Sequence, residues 1–374
     1  MTAAAKPQRF ASLDVFRGAT IFLMILVNTA GPGAPAFTQL VHAKWIGFTL
    51  ADLVFPSFLF AMGNAMSFAM RKPIATGPYL ANLARRGMII FALGFLMYWY
   101  PFARHDADGW SLTPFALTRV PGVLQRLALC YVLTGLVVRW LDWKKLVLAC
   151  IALLLGYWAI LLAFSLPGEA YSKTGNAGTL LDLYLLPREH LYKKDGGFDP
   201  EGFLGTLPAT VNVIAGYLAG LAILHAGSLE RTLRALALGG LVLTVAALAW
   251  SPWFPIAKKM WTGPFVLLTV GLAMILLAIA SWLFEVKGLH GGRRFFTILG
   301  RNPLAIYLFS ELFVVTLNLV RVAGYGGLYD WIGIAIFQRI APDAIGSLLC
   351  ALTYTMVCWS VGWTLDRKGL ILKA

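Results

Sequence analysis

Apolar runs of about 20 residues recur along the chain, and they limit its possible folds more than any other feature. Two of them read LARRGMIIFALGFLMYWYPF and GPFVLLTVGLAMILLAIASWLF, the length that a helix needs to cross a bilayer. Only 13% of the residues are charged, about half the share found in a soluble domain. The sequence therefore predicts an all-α polytopic membrane protein. It excludes a secreted disulfide scaffold, a disordered chain and an outer-membrane barrel, whose strands would alternate.

Hydropathy predicts about ten transmembrane helices in one domain over residues 1–374, with no room for a soluble domain. The candidate spans are about 14–31, 48–70, 84–101, 119–138, 145–166, 206–226, 233–250, 263–284, 296–320 and 343–364. The connector 167–205 is too polar to enter lipid and too long to be a simple turn.

Lysines and arginines cluster in the connectors between the apolar runs. This distribution is typical of a membrane protein in a lipid bilayer and not of a protein that binds nucleic acid. With the N-terminus in the cytoplasm, 19 of the 31 basic residues lie on that side. That count includes Lys6, Arg9, Arg71, Lys72 and Lys373. The positive-inside rule then predicts that both termini are cytoplasmic. The connectors expected on the outer face are 31–47, 102–118, 167–205, 251–262 and 321–342.

The cysteines indicate neither a disulfide framework nor a metal site. Cys130, Cys150, Cys350 and Cys358 all lie in apolar segments, and none has CxxC spacing. We interpret them as small packing residues and expect no bound metal.

Polar residues in the first two spans are the first candidates for chemistry, because such groups are costly at membrane depth. Asp14 and Arg17 share one helical face, either as an ion pair or as ligands. Asn28 and His42 flank a Gly/Pro-rich loop, and amine acylation needs such a base and amide. From spacing alone, His42 could equally be an interfacial residue and Asp52 the ion-coupling carboxylate of a transporter.

Asp52 follows His42 by ten residues inside an apolar run. A continuous helix would place it about 15 Å deeper than His42. We therefore expect no direct pairing with His42 unless the Gly/Pro loop folds back. Its expected partner is Arg119, Gln125 or Arg126, and its expected role is to support a tunnel wall.

Several sequence blocks, taken in order, resemble the transmembrane part of the heparan-α-glucosaminide N-acetyltransferase family. They are SLDVFRG, VN, HAKWIGFTLADLVFPSFLFAMG, RVPGVLQRLALCY, HLYKKDGGFDPEGFLGTLPATVN, FPIAKKMWT and GRNPLAIYLFSE, and together they span most of residues 10–312. The lumenal domain of the lysosomal enzyme is not matched. The chain is thus similar to NagX-type proteins of the bacterial inner membrane, and a homodimer is expected by analogy.

The resemblance implies transfer of acetyl from cytosolic acetyl-CoA to the amine of an amino sugar of the glucosamine type. The family's catalytic histidine and asparagine correspond to His42 and Asn28. The loop between them is longer here and contains proline, which affects the expected shape of the acceptor pocket. Polar residues of the matched blocks are assigned to acetyl-CoA: Asp14, Arg17, Arg119, Gln125, Arg126 and Asn302. Acceptor contacts are assigned to Lys44, Trp45, Asp199 and Glu201.

Two mechanisms fit the resemblance, and two other functions remain alternatives. His42 acts either as a general base in direct transfer, which we favour, or as an acetylated nucleophile. The other functions are a transporter of N-acetylglucosamine or a related sugar, and an O-acetyltransferase for envelope polysaccharide. The lack of an internal repeat weakens the transporter interpretation.

Overall fold

A computed structural model describes residues 10–70, 74–106 and 109–372, and almost all of its regular structure is helical. This confirms the predicted all-α polytopic class. Five of the basic residues counted in the predicted orientation lie outside the described residues, namely Lys6, Arg9, Arg71, Lys72 and Lys373.

Ten of the helices in the described part of the chain have 17 or more residues. They are α1 (Ala11–Asn28), α2 (Leu50–Ala69), α3 (Thr76–Trp99), α4 (Val123–Trp140), α5 (Trp143–Phe164), α7 (Thr206–Leu224), α8 (Leu229–Trp250), α9 (Gly263–Ser281), α11 (Pro303–Leu319) and α14 (Asp343–Arg367). A π turn, Trp282–Val286, extends α9. The shorter helices are α6 (Ala177–Leu185), α10 (Arg293–Arg301), α12 (Leu328–Trp331) and α13 (Gln338–Ile340).

The remaining elements lie in the connectors. Two antiparallel hairpins pair β1 (Ala103–Asp106) with β2 (Gly109–Leu112) and β3 (Arg321–Val322) with β4 (Gly326–Gly327). Single 3₁₀ turns cover Thr38–Leu40, Phe115–Leu117, Arg188–His190 and Lys193–Asp195, and a second π segment covers Ile332–Phe337. The four cysteines are free, as predicted.

Within the described part of the chain, nine helices are long and apolar enough to cross a membrane. The ninth predicted span, 296–320, is wrong as a continuous helix, because α10 and α11 meet at an 81° bend. The bend lies at Asn302, whose backbone leaves the helical region (φ −127°, ψ 50°) before Pro303. A residue that precedes proline is disfavoured in the helical conformation, which explains the break. Counted as one bent span, this pair brings the total to ten.

Contacts among the connectors define one end of the helix bundle, which we call the connector end. They join segments 29–49, 100–122, 165–205, 251–262 and 320–342, which contain the five connectors predicted to share one face (31–47, 102–118, 167–205, 251–262 and 321–342). The contacts are Tyr329 Oη to Thr29 O (2.7 Å), Gly47 N to Ile256 O (2.8 Å), Val120 N to His190 O (2.9 Å) and Trp45 Nε1 to Tyr171 O (2.9 Å).

The opposite end of the bundle, the terminal end, is built from the first turn of α1, the π turn after α9, α10 and the last turn of α14. Ser12 N donates to Glu285 there (2.8 Å), and Arg301 pairs with Asp366. Each end thus has its own set of polar contacts. The membrane side on which each end lies stays a prediction from the basic residues.

Glycines allow α2 and α7 to pack backbone against backbone at the centre of the bundle. A Cβ added at Gly63 would lie 1.8 Å from Val213 O, and one added at Gly216 would lie 2.0 Å from Phe60 O. Neither carbonyl can retreat without disrupting its own helix. This contact fixes α2, the helix whose first turn carries Asp52.

We expect Gly63→Ala to destabilise the protein strongly, because its added methyl group must separate α2 from α7. Overpacking of this kind costs about 1–3 kcal/mol or more. Gly156→Ala in α5 is the matched control, since an added Cβ there meets no atom within 4 Å. Thermal unfolding in detergent checks the pair, and equal melting temperatures would contradict the close-packing account.

Candidate functional site

A cavity of about 210 Å³ opens at the connector end between α1, α2, α4 and α11, and we call it the chamber. Apolar residues of these helices form its deeper wall, including Met24, Val54 and Phe55. Its polar lining is Asn28, His42, Tyr98, Arg119, Tyr192, Glu201, Lys258, Lys259 and Tyr307. The chamber therefore brings together His42, Asn28, Arg119 and Glu201, which were predicted from separate sequence blocks.

Asp52 lies beside His42, which corrects the expectation that the two do not pair. Asp52 Oδ1 is 3.0 Å from His42 Nδ1, and its other oxygen accepts from Ala43 N (3.2 Å) and Thr49 N (3.0 Å). The helix begins only at Leu50, so Asp52 lies in its first turn and the loop before it folds back. Arg119, Gln125 and Arg126 are thus not its partners.

The pairing with Asp52 determines how His42 presents its ring. A buried carboxylate accepts hydrogen bonds, so Nδ1 of a neutral His42 carries the proton and donates it to Asp52. The lone pair then lies on Nε2. The histidine side chain is 40% exposed, so this nitrogen remains accessible from the chamber. An aspartate that orients a histidine in this way favours its use as a base.

Lys258 provides a third charged group at this point. Its Nζ lies 3.0 Å from His42 Nδ1, 3.1 Å from Nε2 and 3.7 Å from Asp52 Oδ1. The lysine comes from the 251–262 connector. Burial lowers the pKa of Lys258 to about 8, although the carboxylates of Asp52 and Glu201 act in the opposite direction. The ammonium is therefore a stronger acid than that of an ordinary lysine and loses its proton as the pH rises through about 8.

Arg119 holds two acidic residues of the long connector at the chamber wall. It makes two hydrogen bonds to Asp199, one of 3.0 Å from Nε, and one of 2.6 Å to Glu201. Its guanidinium lies between the rings of Tyr98 and Tyr192. Burial opposes ionisation of Glu201, but the arginine charges outweigh it and hold the pKa of Glu201 below its usual range.

Asp199 and Glu201, both assigned to the acceptor from the sequence, have different surroundings. Asp199 is buried and also accepts from the backbone of Tyr192 and Glu201, so its oxygens are occupied. Glu201 lines the chamber, whereas Asp199 does not. Asp199 is thus placed to orient Arg119, and Glu201 is the carboxylate that an acceptor can reach.

Asn28 lies at the end of α1 and is oriented by an acidic residue of α11. Its Nδ2 donates to Glu311 Oε1 at 3.0 Å, and Asn28 itself lines the chamber. Because the amide nitrogen faces Glu311, the carbonyl oxygen Oδ1 is left to accept from a group in the chamber.

Three other residues predicted to contact acetyl-CoA are Gln125, Arg126 and Asn302, and the last two have structural partners. Gln125 is buried, and its amide atoms have no hydrogen-bond partner among the described residues. Arg126 donates to Gly202 O (2.8 Å) and lies over the Trp261 ring. Asn302 binds the C-terminal segment at Leu370 O and Leu372 N. None of the three lines either cavity described in this section.

The two residues next to His42 that were assigned to the acceptor also lie outside the chamber lining. Lys44 is exposed. Trp45 donates to Tyr171 O and packs edge-on against Phe198, with 4.8 Å between ring centroids. Trp45 therefore anchors the long connector to the loop that carries His42.

A larger cavity of about 660 Å³ opens at the terminal end, and we call it the basic cavity. Four arginines line it, two of them from α3: Arg17, Arg85, Arg86 and Arg301. Arg17 also bonds Asp14 and Gly300 O, so Asp14 positions it rather than lining this cavity. The walls beyond the arginines are apolar and aromatic.

The chamber and the basic cavity approach each other within about one helical turn. On each of three helices, a residue that lines one cavity lies three or four positions from a residue that lines the other, which is about 5–6 Å of helix. The pairs are Phe55 and Phe58 in α2, Val123 and Leu127 in α4, and Tyr307 and Leu304 in α11. A thin apolar barrier separates them.

Sequence reasoning missed several residues of the chamber region, among them the ionisable residues Lys258 and Glu311. Lys258 lies in the quoted block FPIAKKMWT, but nothing local distinguishes it from Lys259. Glu311 is the acidic residue in the apolar run PLAIYLFSELFVV. The cost of a charge at membrane depth would have identified it as a candidate. Among the described residues, no group of acidic, His and Cys side chains is arranged to hold a metal ion.

The fold and these sites define a multi-pass membrane protein with polar cavities that open at opposite ends of its helix bundle. The family model described as heparan-alpha-glucosaminide N-acetyltransferase, catalytic, matches residues 9–191. The human heparan-alpha-glucosaminide N-acetyltransferase is 27% identical in an alignment 369 positions long, gaps included, and the alignment covers 83% of this chain. The mouse enzyme is 26% identical in an alignment of 372 positions with the same coverage.

These matches confirm the resemblance to the heparan-α-glucosaminide N-acetyltransferase family. The chain spans about half the length of the curated relatives it matches, since the aligned part covers 54% of each. The part of this chain that the family model matches contains both Asn28 and His42. The narrower bacterial NagX-type assignment stays a prediction.

We expect Arg119→Met to destabilise the protein by about 3–5 kcal/mol, because it leaves Asp199 and Glu201 buried without their cation. Arg234→Met is the matched control, since Arg234 pairs with Glu230 on an exposed helix face and such pairs contribute about 0–1 kcal/mol. Thermal unfolding in detergent measures both variants. Equal effects would show that the Arg119 cluster does not support the chamber.

Proposed function

We propose that this protein is a membrane acetyltransferase that transfers acetyl from acetyl-CoA to the amine of an amino sugar of the glucosamine type. The observation that carries the proposal is the pair of cavities at opposite ends, separated by one helical turn beside the Asp52–His42 pair. Such an arrangement lets a donor and an acceptor meet without either crossing the membrane.

The basic cavity suits the donor. Acetyl-CoA carries several phosphate charges, and guanidinium groups are the preferred protein partners of phosphate. Four arginines surround this cavity, and Arg86 is also stacked over the Tyr131 ring. The thin pantetheine arm would extend along the apolar wall and bring the thioester to the barrier. The excess of basic residues supports placing this end at the cytoplasmic face of a bacterial inner membrane.

The chamber suits the acceptor. Glu201 offers a carboxylate for the ammonium or the hydroxyl groups of the sugar. Asn28 Oδ1 accepts from the amine and orients it, while Nε2 of His42 removes its proton as the general base. Asp52 stabilises the imidazolium that forms. The amine then attacks the thioester directly, since base and nucleophile lie in one chamber and no acetyl-His42 intermediate is needed.

The test is release of free thiol from acetyl-CoA by the purified protein in detergent. Glucosamine should stimulate the release, and the product should resist mild base, as an amide does. Sugar flux into liposomes without acetyl-CoA would instead indicate a transporter. A product that mild base cleaves would indicate an O-acetyltransferase.

We expect His42→Ala to lower kcat by about 10²- to 10⁴-fold, because the general base is lost. The melting temperature and the affinity for acetyl-CoA should stay near those of the unchanged protein. His225→Ala is the matched control, since His225 lies at the end of α7 and outside both cavities. Undiminished turnover in a folded His42→Ala variant would refute the assignment of His42.

Replacing Arg85 and Arg86 together by Gln should raise the KM for acetyl-CoA and leave the KM for glucosamine unchanged. A charged hydrogen bond contributes about 1.5–3 kcal/mol, so we expect an increase of about 10-fold or more. Arg231→Gln, an exposed change on α8, is the control. A selective rise in the KM for glucosamine would place the donor elsewhere.

A further inference from the structure

Two lysines line the chamber, Lys258 and Lys259, and the reaction described above uses neither. Lys258 Nζ lies within 3.1 Å of both ring nitrogens of His42 and 3.7 Å from Asp52 Oδ1. Its side chain is only 15% exposed, and it lines the chamber. A structural counter-ion of Asp52 would not need to reach the far nitrogen of the histidine.

Hydrogen-bond donors and acceptors fix the direction of this contact. Asp52 takes the proton of His42 Nδ1, so the one ring lone pair is on Nε2. An ammonium can only donate, and Nε2 is the ring nitrogen that can accept, but Nζ lies as close to Nδ1 (3.0 Å) as to Nε2 (3.1 Å) and so not along the Nε2 lone pair. A small movement of the lysine toward that lone pair completes a hydrogen bond along which a proton can pass in either direction.

Acetyl transfer from a thioester requires two proton movements. The attacking amine must lose a proton, and the sulfur that leaves as a thiolate must gain one to become the free thiol. His42 accepts the proton of the amine. The second requires an acid in the same chamber, close enough to the base to be recharged.

Within the function proposed above, we propose that Lys258 is the general acid that protonates the leaving thiolate and regains its proton from His42. The amine nitrogen bonds to the acetyl carbon, and its proton passes to His42 Nε2. The carbon–sulfur bond breaks with its electron pair on sulfur, which takes a proton from Lys258 Nζ. The imidazolium then returns its proton to the neutral lysine, and both residues are restored.

The surroundings of Lys258 suit an acid of this strength. Burial lowers its pKa to about 8, near that of an ordinary thiol, so proton transfer to the thiolate is close to balanced. The charged and titratable groups that face it are His42 from the loop before α2, Asp52 from the first turn of α2, Glu201 from the long connector, and its neighbour Lys259. The two carboxylates keep Lys258 protonated at neutral pH.

The test compares Lys258→Met with two acetyl donors, acetyl-CoA and its selenium analogue, in which a selenoester replaces the thioester. A selenolate is a better leaving group and needs less help from an acid. We expect kcat with acetyl-CoA to fall by about 10²-fold, and the selenoester to recover most of that loss. Lys173→Met is the control, because Lys173 pairs with Asp195 outside the chamber.

The pH profile gives a second readout. An acid works only while protonated, so kcat of the unchanged protein should fall as the pH rises through about 8. This alkaline decline should be absent in Lys258→Met. If Lys258→Met does not fold, Lys258→Arg serves instead, because it keeps the charge and holds its proton at these pH values.

The experiments test the proposed acetyltransferase activity and the proposed role of Lys258 separately. Thiol release by the unchanged protein supports the proposed function whatever Lys258 does. If that release occurs and Lys258→Met matches Lys173→Met, Lys258 is not the acid. An equal loss with both donors would also overturn the proposal, because a purely structural role would slow the two donors alike.

Discussion

The buried carboxylate of Asp52 holds the first turn of α2, the loop before it and His42 in one arrangement. Its oxygens accept from the backbone of Ala43 and Thr49 and from the histidine ring. Because the side chain is fully buried, the charge would be very unfavourable without these partners. The negative charge also complements the positive end of the helix dipole. The position of the base thus follows from the way in which α2 begins.

The charges at the two ends of the bundle differ in kind, which suits two dissimilar substrates. Arginines surround the basic cavity, whereas cations and carboxylates are interleaved in the chamber. An anionic donor would be attracted to the basic cavity, whereas the mixed groups of the chamber can pair with the amine and the hydroxyl groups of an acceptor. The barrier between the cavities consists of apolar and aromatic side chains, including Phe55 and Phe58. Exclusion of water at this point would protect a thioester from hydrolysis.

Hydropathy predicts the helices well because lipid contact imposes composition, but it carries no information on backbone geometry. It therefore missed the bend at Asn302, although the following proline signals one. The depth of Asp52 was wrong for a similar reason: Thr49 and Asp52 have the spacing of a capping box, which marks the helix start. The contact between Lys258 and His42 joins residues 216 apart, which no local pattern encodes.

In the proposed mechanism, Lys258 and the acceptor amine compete for the same atom. Nε2 of His42 has one lone pair, and the Lys258 ammonium lies 3.1 Å from this nitrogen. An amine that donates to Nε2 must displace the ammonium, and Asp52 and Glu201 keep the displaced charge inside the chamber. The freed ammonium then has protons to offer to the thioester sulfur. Binding of the acceptor amine would thus place the amine against His42 and at the same time release Lys258 toward the thioester. Lys258 would then reach the donor only when a nucleophile is in place.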